Sequence, residues 1–237
     1  MKGLHLFHFA VSNCSQRVRL ALEEKGLAWT SHHMNLPGNE HVSPDYQRIN
    51  PNGVVPTLVH DGQVVIESND ILAYLDEHFP DPPLCPTSPD ERRRMDAGIA
   101  ASSAFQSTIK VLSHELIFRP FRKVGPEEIE LYEREHRDPS LVAFLRDFAE
   151  NGPAWKQRVE RAHEQMRSAL DALEERLAHS DWLSGPAHGL ADISWAVNFN
   201  RLQQAGVDLS AWPRLQEWGA RVLARPAFDR AVASYQP

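Results

Sequence analysis

The sequence predicts a mixed α/β domain over residues 1–80 and an all-α domain over residues 90–237, joined by a linker at 81–89. In the first 80 residues, short apolar runs at strand spacing alternate with amphipathic helical runs. The stretch "PDPPLCPTSPD" that follows holds five prolines in eleven residues, a density that neither a sheet nor a helix accommodates. The later segments have helical periodicity. The clearest apolar helix face comprises Val159, Met166, Leu170, Leu173 and Leu177.

The elements of the first domain follow the order β-α-β-(α)-β-β-α. Residues 3–9 predict a strand, and residues 15–25 predict a helix that Gly26 ends. A second strand over residues 28–36 completes a parallel βαβ unit. The segment "PDYQRIN" then predicts a short helix that begins at Pro44.

A β-hairpin and a helix complete this domain. Asp61-Gly62, a dipeptide suited to a tight hairpin turn, separates the β-branched runs "VVPTLVH" and "QVVIES". The segment "NDILAYLDEHFP" predicts an amphipathic helix. Its apolar face comprises Ile71, Leu72, Leu75 and Phe79.

Composition excludes several classes of function. A chain of 237 residues with 42% hydrophobic residues is long and apolar enough to build a globular core. The net charge of -7 argues against nucleic acid or an anionic membrane as the partner. The sequence contains no apolar run of about 18 residues that would span a membrane, and its beginning is too His-rich for a signal peptide. Two cysteines, Cys14 and Cys85, do not make a disulfide framework, which favours a reducing, cytoplasmic setting.

The segment "VSNCSQRV" places two hydroxyls and a thiol where the first strand leads into the first helix. The free N–H groups and the dipole of a helix N-terminus favour an anion, and they lower the pKa of a thiol. That anion is either the thiolate of Cys14 or the thiolate of a ligand that Ser12 holds. The alternative is a helix cap at Ser12 beside a structural Cys14.

Two further segments predict the rest of a peptide site. If the Val55–Pro56 bond is cis, the N–H and C=O of Val55 turn outward and can pair with an extended peptide. A trans Pro56 at the start of a strand is the alternative. At the start of the following helix, Ser68 can hold a carboxylate and Glu67 can pair with an ammonium, which together match an α-amino-acid head group. Simple helix capping is the alternative at this second segment.

A thiol site, an edge for an extended peptide and a site for an α-amino carboxylate are the parts of a glutathione site. The segments "SNCSQRVRLALEEKG", "NPNGVVPTLVHDG" and "VVIESNDILAYLDEHFP" resemble the thioredoxin-like domain of glutathione transferases. The segment "SGPAHGLADISWAV" resembles the family's folding segment, with Asp192 as its Asp. The pattern S-x-C-S-x-R-V-R is most similar to that of zeta-type enzymes. The resemblance implies a thioredoxin-like α/β domain followed by an all-α domain, which is the glutathione transferase fold.

The resemblance also implies the roles of individual residues. Ser12 stabilises the glutathione thiolate with Cys14 beside it, and Val55, before Pro56, pairs with the cysteinyl backbone. Glu67 and Ser68, which follow the hairpin, hold the γ-glutamyl end of glutathione.

The glycine carboxylate of glutathione has two candidate partners by this resemblance, His41 and Asn52, of which His41 is favoured. Histidines such as His32, His33, His114 and His163 have no metal-ligand spacing, so we expect no metal. The acceptor cavity has candidate lining residues on the first long helix of the all-α domain. These are Ala104, Phe105, Thr108, Leu112 and Phe118.

The long charged segment over residues 119–148, called the insertion below, resembles that of bacterial glutathione-dependent reductive dehalogenases of the tetrachlorohydroquinone type and of β-etherase-type transferases. The family resemblance implies a homodimer that conjugates glutathione, its co-substrate, to a small hydrophobic electrophile in detoxification, with an aromatic electrophile favoured. One alternative is a reductive dehalogenase or thiol-disulfide catalyst that uses Cys14 covalently. A non-catalytic glutathione-binding or interaction module is another.

Two expectations concern structural roles. Arg17 and Arg19, which flank the first turns of the first helix, are predicted to pack and to form ion pairs. Gly189 stands three residues before Asp192, where the family has Ser or Thr. We therefore expect folding to survive but the reciprocal side-chain capping box to be lost.

Overall fold

The computed structural model of the chain describes residues 1–236. Its strands are β1 (Leu4–His8), β2 (Thr30–His33), β3 (Thr57–His60) and β4 (Gln63–Val65). Its helices are α1 (Asn13–Glu24), α2 (Pro44–Gln47), α3 (Ser68–His78), α4 (Pro89–Ser113), α5 (Pro126–Glu135), α6 (Pro139–Glu150), α7 (Pro153–Leu177), α8 (Leu190–Gln204) and α9 (Pro213–Leu223). Shorter helical turns lie at Glu40–Val42, His114–Phe118, Pro226–Phe228 and Asp229–Ala233.

The strands form one mixed sheet in the order β2-β1-β3-β4. Strands β1 and β2 are parallel, whereas β1 and β3, and β3 and β4, are antiparallel. Asp61 and Gly62 take φ angles of 50° and 92°, as a two-residue hairpin turn requires. The predicted βαβ unit and hairpin are therefore confirmed. Strand β2 is shorter than the predicted 28–36, because at the edge of the sheet only Thr30–His33 pairs with β1.

Helix α1 lies between the sheet domain and the helical domain. Val18, Ala21 and Leu22, the predicted apolar positions, are fully buried. The helix ends where predicted, with Lys25 as its C-cap and Gly26 at a φ of 61°. Because the helix is covered on both sides, its first turn meets residues from both halves of the chain.

Short neutral side chains join the two halves around α1. Asn13 on α1 donates from Nδ2 to Asn198 Oδ1 on α8 at 2.6 Å. Asn198 in turn donates to Ser102 Oγ on α4 at 3.1 Å. Ser194 on α8 donates to Asn69 Oδ1 on α3 at 2.7 Å. These five residues are called the interdomain network below, and each finds its hydrogen-bond partner across elements rather than in water.

The chain between α3 and α4 contains no helix or strand in the described structure, and it is fixed to α1. Lys25 Nζ donates to Phe79 O at 2.6 Å and to Pro82 O at 2.9 Å, and it forms an ion pair with Asp76. The domain boundaries at 80 and 90 stay a prediction. The last residue of the predicted helical domain, Pro237, lies outside the described residues.

The N-terminus of α8 is capped although position 189 is a glycine rather than Ser or Thr. Ser184 Oγ accepts the N–H of Ala191 at 3.0 Å, and Asp192 Oδ2 accepts the N–H of Gly189 at 3.0 Å. The expected loss of the capping box is thus only partial, because Ser184 supplies the missing hydroxyl. A Cβ at Gly189 would lie 2.3 Å from Leu84 O, so the close backbone approach accounts for the glycine.

Within residues 1–236, no helix combines the length and the apolar character that crossing a membrane requires. In the same range, no three His, Cys, Asp or Glu side chains gather in an arrangement suited to a metal ion.

Candidate active site

Two neighbouring cavities open on either side of the first turn of α1. The larger, of about 600 Å³, is called the aromatic cavity. It is lined by Phe9, Val11, Ser12, Leu36, Pro37, His41, His114, Phe118, Phe121, Arg122, Lys123 and Tyr132. The smaller, of about 290 Å³, is called the polar cavity. It is lined by Cys14, Arg17, Glu67, Ser68, Asn69, Asp70, Ser103 and Gln106.

Ser12 is the N-cap of α1 and also lines the aromatic cavity. Its extended backbone, with φ of -68° and ψ of 122°, lets Oγ accept the N–H of Ser15 at 3.3 Å. Capping uses the oxygen as an acceptor and leaves the hydroxyl hydrogen free to donate. The two interpretations of this serine, a helix cap and a donor to a thiolate, are therefore compatible.

Cys14 lies two residues further along, half-buried on the first turn of α1, and it lines the polar cavity. Ser12 and Cys14 thus face different cavities.

Glu67 and Ser68 lie in the polar cavity with Cys14. Ser68 is the first residue of α3, where backbone N–H groups have no partner within the helix, and its Oγ accepts from Arg17 Nη1 at 2.7 Å. Glu67 holds a φ of 63°, a left-handed conformation that costs a non-glycine residue about 1–3 kcal/mol and is concentrated at functional sites. The carboxylate and the free N–H groups therefore stand side by side, as a zwitterionic head group requires.

Arg17 and Arg19 are buried, as predicted, but the predicted ion pairs are wrong. Arg17, 1% exposed, donates to Ser194 O at 3.2 Å besides Ser68. Arg19, 0% exposed, donates to Ala231 O at 2.9 Å and Ala10 O at 2.9 Å. Burial lowers the pKa of Arg17, and it lowers that of Arg19 to about 10. Among residues 1–236 neither arginine has a carboxylate partner, because α1 is enclosed by backbone carbonyls and hydroxyls.

The Val55–Pro56 peptide bond is cis. The carbonyl oxygen of the preceding residue, Val54, already accepts two hydrogen bonds, from Tyr46 Oη at 2.7 Å and from Asn50 Nδ2 at 2.9 Å. The N–H and C=O of Val55 have no hydrogen-bond partner within the described chain. Neither Val55 nor Pro56 lines the two cavities.

His41 is 7% exposed and lines the aromatic cavity. Its Nε2 is hydrogen-bonded to Tyr132 Oη over 2.7 Å, whereas its buried Nδ1 has no partner among the described residues. Burial, and then the charge of His136, lowers the pKa of His41 to about 4. The imidazole is therefore neutral at neutral pH and can offer one N–H rather than a full charge. Asn52, the other candidate for the glycine carboxylate, is exposed and lies outside both cavities.

The aromatic cavity is completed by residues that sequence reasoning missed. Of the five acceptor-cavity candidates named from the sequence, only Phe118 lines this cavity. Phe105 and Leu112 are buried in the core instead. After α4 the chain continues in a π-helical turn, His114–Phe118, in which the number of residues per turn differs from that of an α-helix. α-Helical spacing therefore did not predict which of these side chains line the cavity. Phe121, Arg122, Lys123 and Tyr132 come from the insertion.

Comparison with known proteins assigns the fold. Residues 6–83 match the N-terminal domain of glutathione S-transferases, and residues 156–221 match their C-terminal domain. Glutathione S-transferase Z1 of Arabidopsis thaliana is 44% identical over 243 residues, which cover 99% of this chain and 93% of the relative. The chain belongs to the glutathione transferase family. The family and the fold predicted from "SNCSQRV", "GVVPTLV" and "IESNDI" are confirmed, and the relatives are glutathione-dependent enzymes.

Two further glutathione transferase relatives are those that the insertion suggested. The tetrachloro-p-hydroquinone reductive dehalogenase of Sphingobium chlorophenolicum is 25% identical over 256 residues, covering 98% of this chain and 96% of that protein. The crystal structure of the β-etherase LigF from Sphingobium sp. strain SYK-6 superposes with a TM-score of 0.88 at 27% identity. That superposition covers 98% of this chain and 99% of the other.

Proposed function

We propose that this glutathione transferase conjugates glutathione, as its co-substrate, to a small hydrophobic aromatic electrophile in a cytoplasmic detoxification reaction, and that it acts as a homodimer. Ser12 donates a hydrogen bond to the glutathione thiolate at the N-terminus of α1. The acceptor lies in the aromatic cavity, and the γ-glutamyl end of glutathione lies in the polar cavity.

The observation that carries this proposal is the geometry of Ser12. Its oxygen caps α1 by accepting the N–H of Ser15, its hydroxyl hydrogen stays free, and the side chain faces a cavity with aromatic walls. A hydroxyl donor and a helix N-terminus both favour a thiolate over a thiol. Such a thiolate would stand beside an apolar cavity, where an aromatic electrophile is held in the orientation for attack.

The other parts of glutathione are assigned to groups of matching charge or hydrogen-bonding capacity. Glu67 pairs with the γ-glutamyl ammonium, and Ser68 with the first N–H groups of α3 holds the γ-glutamyl carboxylate. The unpartnered N–H and C=O of Val55, before Pro56, pair with the cysteinyl backbone. The Nδ1 of His41 is the candidate donor for the glycine carboxylate, as a neutral hydrogen-bond donor. We assign no metal to the site.

An ultraviolet difference titration with glutathione at neutral pH tests the proposal on the wild type, Ser12→Ala and Cys14→Ala. We expect a thiolate band in the wild type and in Cys14→Ala, and its loss in Ser12→Ala. A band that disappears only in Cys14→Ala would reject Ser12 as the donor and transfer the role to cysteine chemistry. The absence of a band in all three proteins would mean that glutathione binds without activation, as in a non-catalytic module.

A second candidate function rests on the position of Cys14 in the polar cavity beside Glu67 and Ser68. In a reductive dehalogenation, the Cys14 thiolate would attack the glutathione sulfur of an aryl thioether. The carbon–sulfur bond would break, the ring carbon would take the electron pair and a proton, and a Cys14–glutathione disulfide would form. Mass spectrometry during turnover would detect this adduct. Full activity of Cys14→Ala would reject the covalent role.

A further inference from the structure

The charged side chains that line the aromatic cavity are both cations, Arg122 and Lys123. The charge of Arg122 is compensated, because Nη1 donates to Glu128 Oε2 at 2.9 Å and the two groups form an ion pair. Lys123 has no ion-pair partner among the residues that the structure describes. One positive charge at the wall of the cavity is therefore unopposed.

A second unopposed cation lies directly behind the cavity wall. Arg201 on α8 is 4% exposed, and its Nη2 donates to the carbonyl of Val11 at 2.6 Å. Its guanidinium carbon is 5.7 Å from the ring centroid of Phe118. Its buried Nε has no partner, and no carboxylate in residues 1–236 pairs with it. Val11 and Phe118 both line the cavity, so this charge acts across a single layer of side chains.

Lys110 is the third cation. It lies in the last turn of α4, four residues before His114, which lines the cavity. Its Nζ is 4.3 Å from the ring centroid of Phe144. No carboxylate of the described chain forms an ion pair with it. Burial lowers the pKa of Lys110 to about 8, against the opposing effect of the Asp138 charge, so most molecules still carry the positive charge at neutral pH.

The positive charge of these three side chains is opposite in sign to the net charge of the whole molecule. The chain has a net charge of -7, yet no carboxylate side chain lines this cavity in the described structure. Arg201 is buried and Lys110 half-buried, whereas Lys123 is exposed. Burying cations without counter-ions is unfavourable, and a ligand that brings a negative charge recovers part of that free energy. Interactions of this kind also distinguish a charged ligand from its neutral analogue.

We propose that the acceptor substrate of this enzyme is an aromatic electrophile that bears a carboxylate, which lies beside Lys123 in the aromatic cavity and is also attracted by the charges of Arg201 and Lys110 outside its lining. The rings of Phe9 and Phe118 cover the apolar part of the acceptor. This inference rests on the proposed glutathione transfer and deepens it by naming the acceptor's charge. A carboxylate in this cavity could also be the glycine end of glutathione, and the experiment separates the two sources.

The test uses 4-chloro-3,5-dinitrobenzoate and its neutral carboxamide. Each kcat/KM is divided by the uncatalysed rate with glutathione, which removes the difference in intrinsic electrophilicity. We expect the wild type to prefer the benzoate by about tenfold, the effect of one charge-assisted hydrogen bond. Lys123→Met and Lys110→Met should each reduce this preference severalfold, and Lys110→Arg should restore it. Lys156→Met, which removes an exposed lysine of α7, should leave it unchanged.

The second arm keeps the neutral carboxamide as the acceptor and compares glutathione with its glycyl ethyl ester. If the lysine variants reduce the discrimination between these two thiols instead, the cations serve the glycine carboxylate and the inference is overturned. Equal use of benzoate and carboxamide by the wild type also overturns it, but leaves the transferase proposal standing. Conjugation of neither compound, together with no thiolate band on glutathione binding, removes both proposals. Thermal unfolding of each variant checks that the Lys110 variants, whose substituted side chain is half-buried, still fold.

Discussion

The two cavities beside α1 differ in how the chain builds them. The polar cavity takes its charged residues from two short segments that each begin a helix, Arg17 from α1, and Glu67 and Asp70 from the start of α3. The aromatic cavity takes its walls from residues 9–41 of the first domain and from residues 114–132, which comprise the turn after α4 and part of the insertion. Local motifs therefore supply the charged groups of the polar cavity, which Ser103 and Gln106 of α4 complete. The aromatic cavity instead takes half of its lining from each half of the chain.

This difference suggests a division of labour. A cavity specified by local motifs suits a ligand that does not change, such as glutathione. A cavity built from an insertion can be remodelled without disturbing the helix N-termini, which suits an acceptor that differs among relatives named as a transferase, a dehalogenase and a β-etherase. The following predictions test this division.

The largest effect is expected in the polar cavity. Glu67→Gln removes the negative charge assigned to the γ-glutamyl ammonium, so glutathione should bind about a hundredfold more weakly. Calorimetric titration should show that wild type and variant bind a glutathione analogue without the α-amino group equally. Asp70→Asn, which neutralises another carboxylate lining this cavity, is the matched control and should change little. Equal losses in both variants would reject the specific role of Glu67.

Acid should lower the stability of the fold through His114, which lines the aromatic cavity. Burial lowers the pKa of this imidazole from 6.5 to about 4. At pH 5 the His114 imidazole is therefore neutral in the folded protein, whereas it is protonated in the unfolded chain. Stability is thus present above pH 6.5 and lost as the pH falls toward 4, by about 2 kcal/mol at pH 5. Urea unfolding at pH 7 and pH 5 should show a smaller decline for His114→Phe than for the wild type. An identical decline in both proteins would contradict this assignment.

Phe118→Ala should act on the acceptor alone. The ring is part of the aromatic wall, and its removal should raise the KM of an aromatic acceptor about tenfold through lost apolar and ring–ring contact. The dissociation constant of glutathione should not change. Steady-state kinetics with each substrate varied in turn measures both. A parallel loss of glutathione affinity would mean that the two cavities are not separate in function.

The smallest effect is expected at the contact between the insertion and the first domain. Tyr132→Phe deletes the hydrogen bond to His41 Nε2, which spans 2.7 Å, and should cost about 1 kcal/mol, or roughly 2–4 °C in Tm. Thermal unfolding measures this shift. Because the ring itself remains, the acceptor KM should stay within about twofold of the wild type. A large change in KM with unchanged Tm would instead assign the hydroxyl a direct role in acceptor binding.

What could be predicted from the sequence follows the same division. The turn at Asp61-Gly62 and the end of α1 at Gly26 depend on local chemistry, and each was predicted from neighbouring residues. The cap at Ser12 was one of the two interpretations of "VSNCSQRV". The missing hydroxyl at Gly189 was not explained by its neighbours, since Ser184 supplies it from the preceding loop. The cations around the aromatic cavity were likewise missed. Lys123 lies in the insertion and Arg201 on α8, and only tertiary packing brings Lys123 to the cavity lining and Arg201 behind Phe118.

The interdomain network has a consequence for how the molecule responds to its solvent. Amides and hydroxyls carry no net charge, so their mutual hydrogen bonds are not screened by dissolved ions, unlike pairs of charged side chains at a surface. Asn13 belongs to this network and also to the first turn of α1, between Ser12 and Cys14. The contribution of this network to the contact between the two halves should therefore change little from dilute buffer to molar salt. The ion pairs Arg225–Glu24 and Arg230–Glu23, which also join α1 to the helical half, are the salt-sensitive part of that contact.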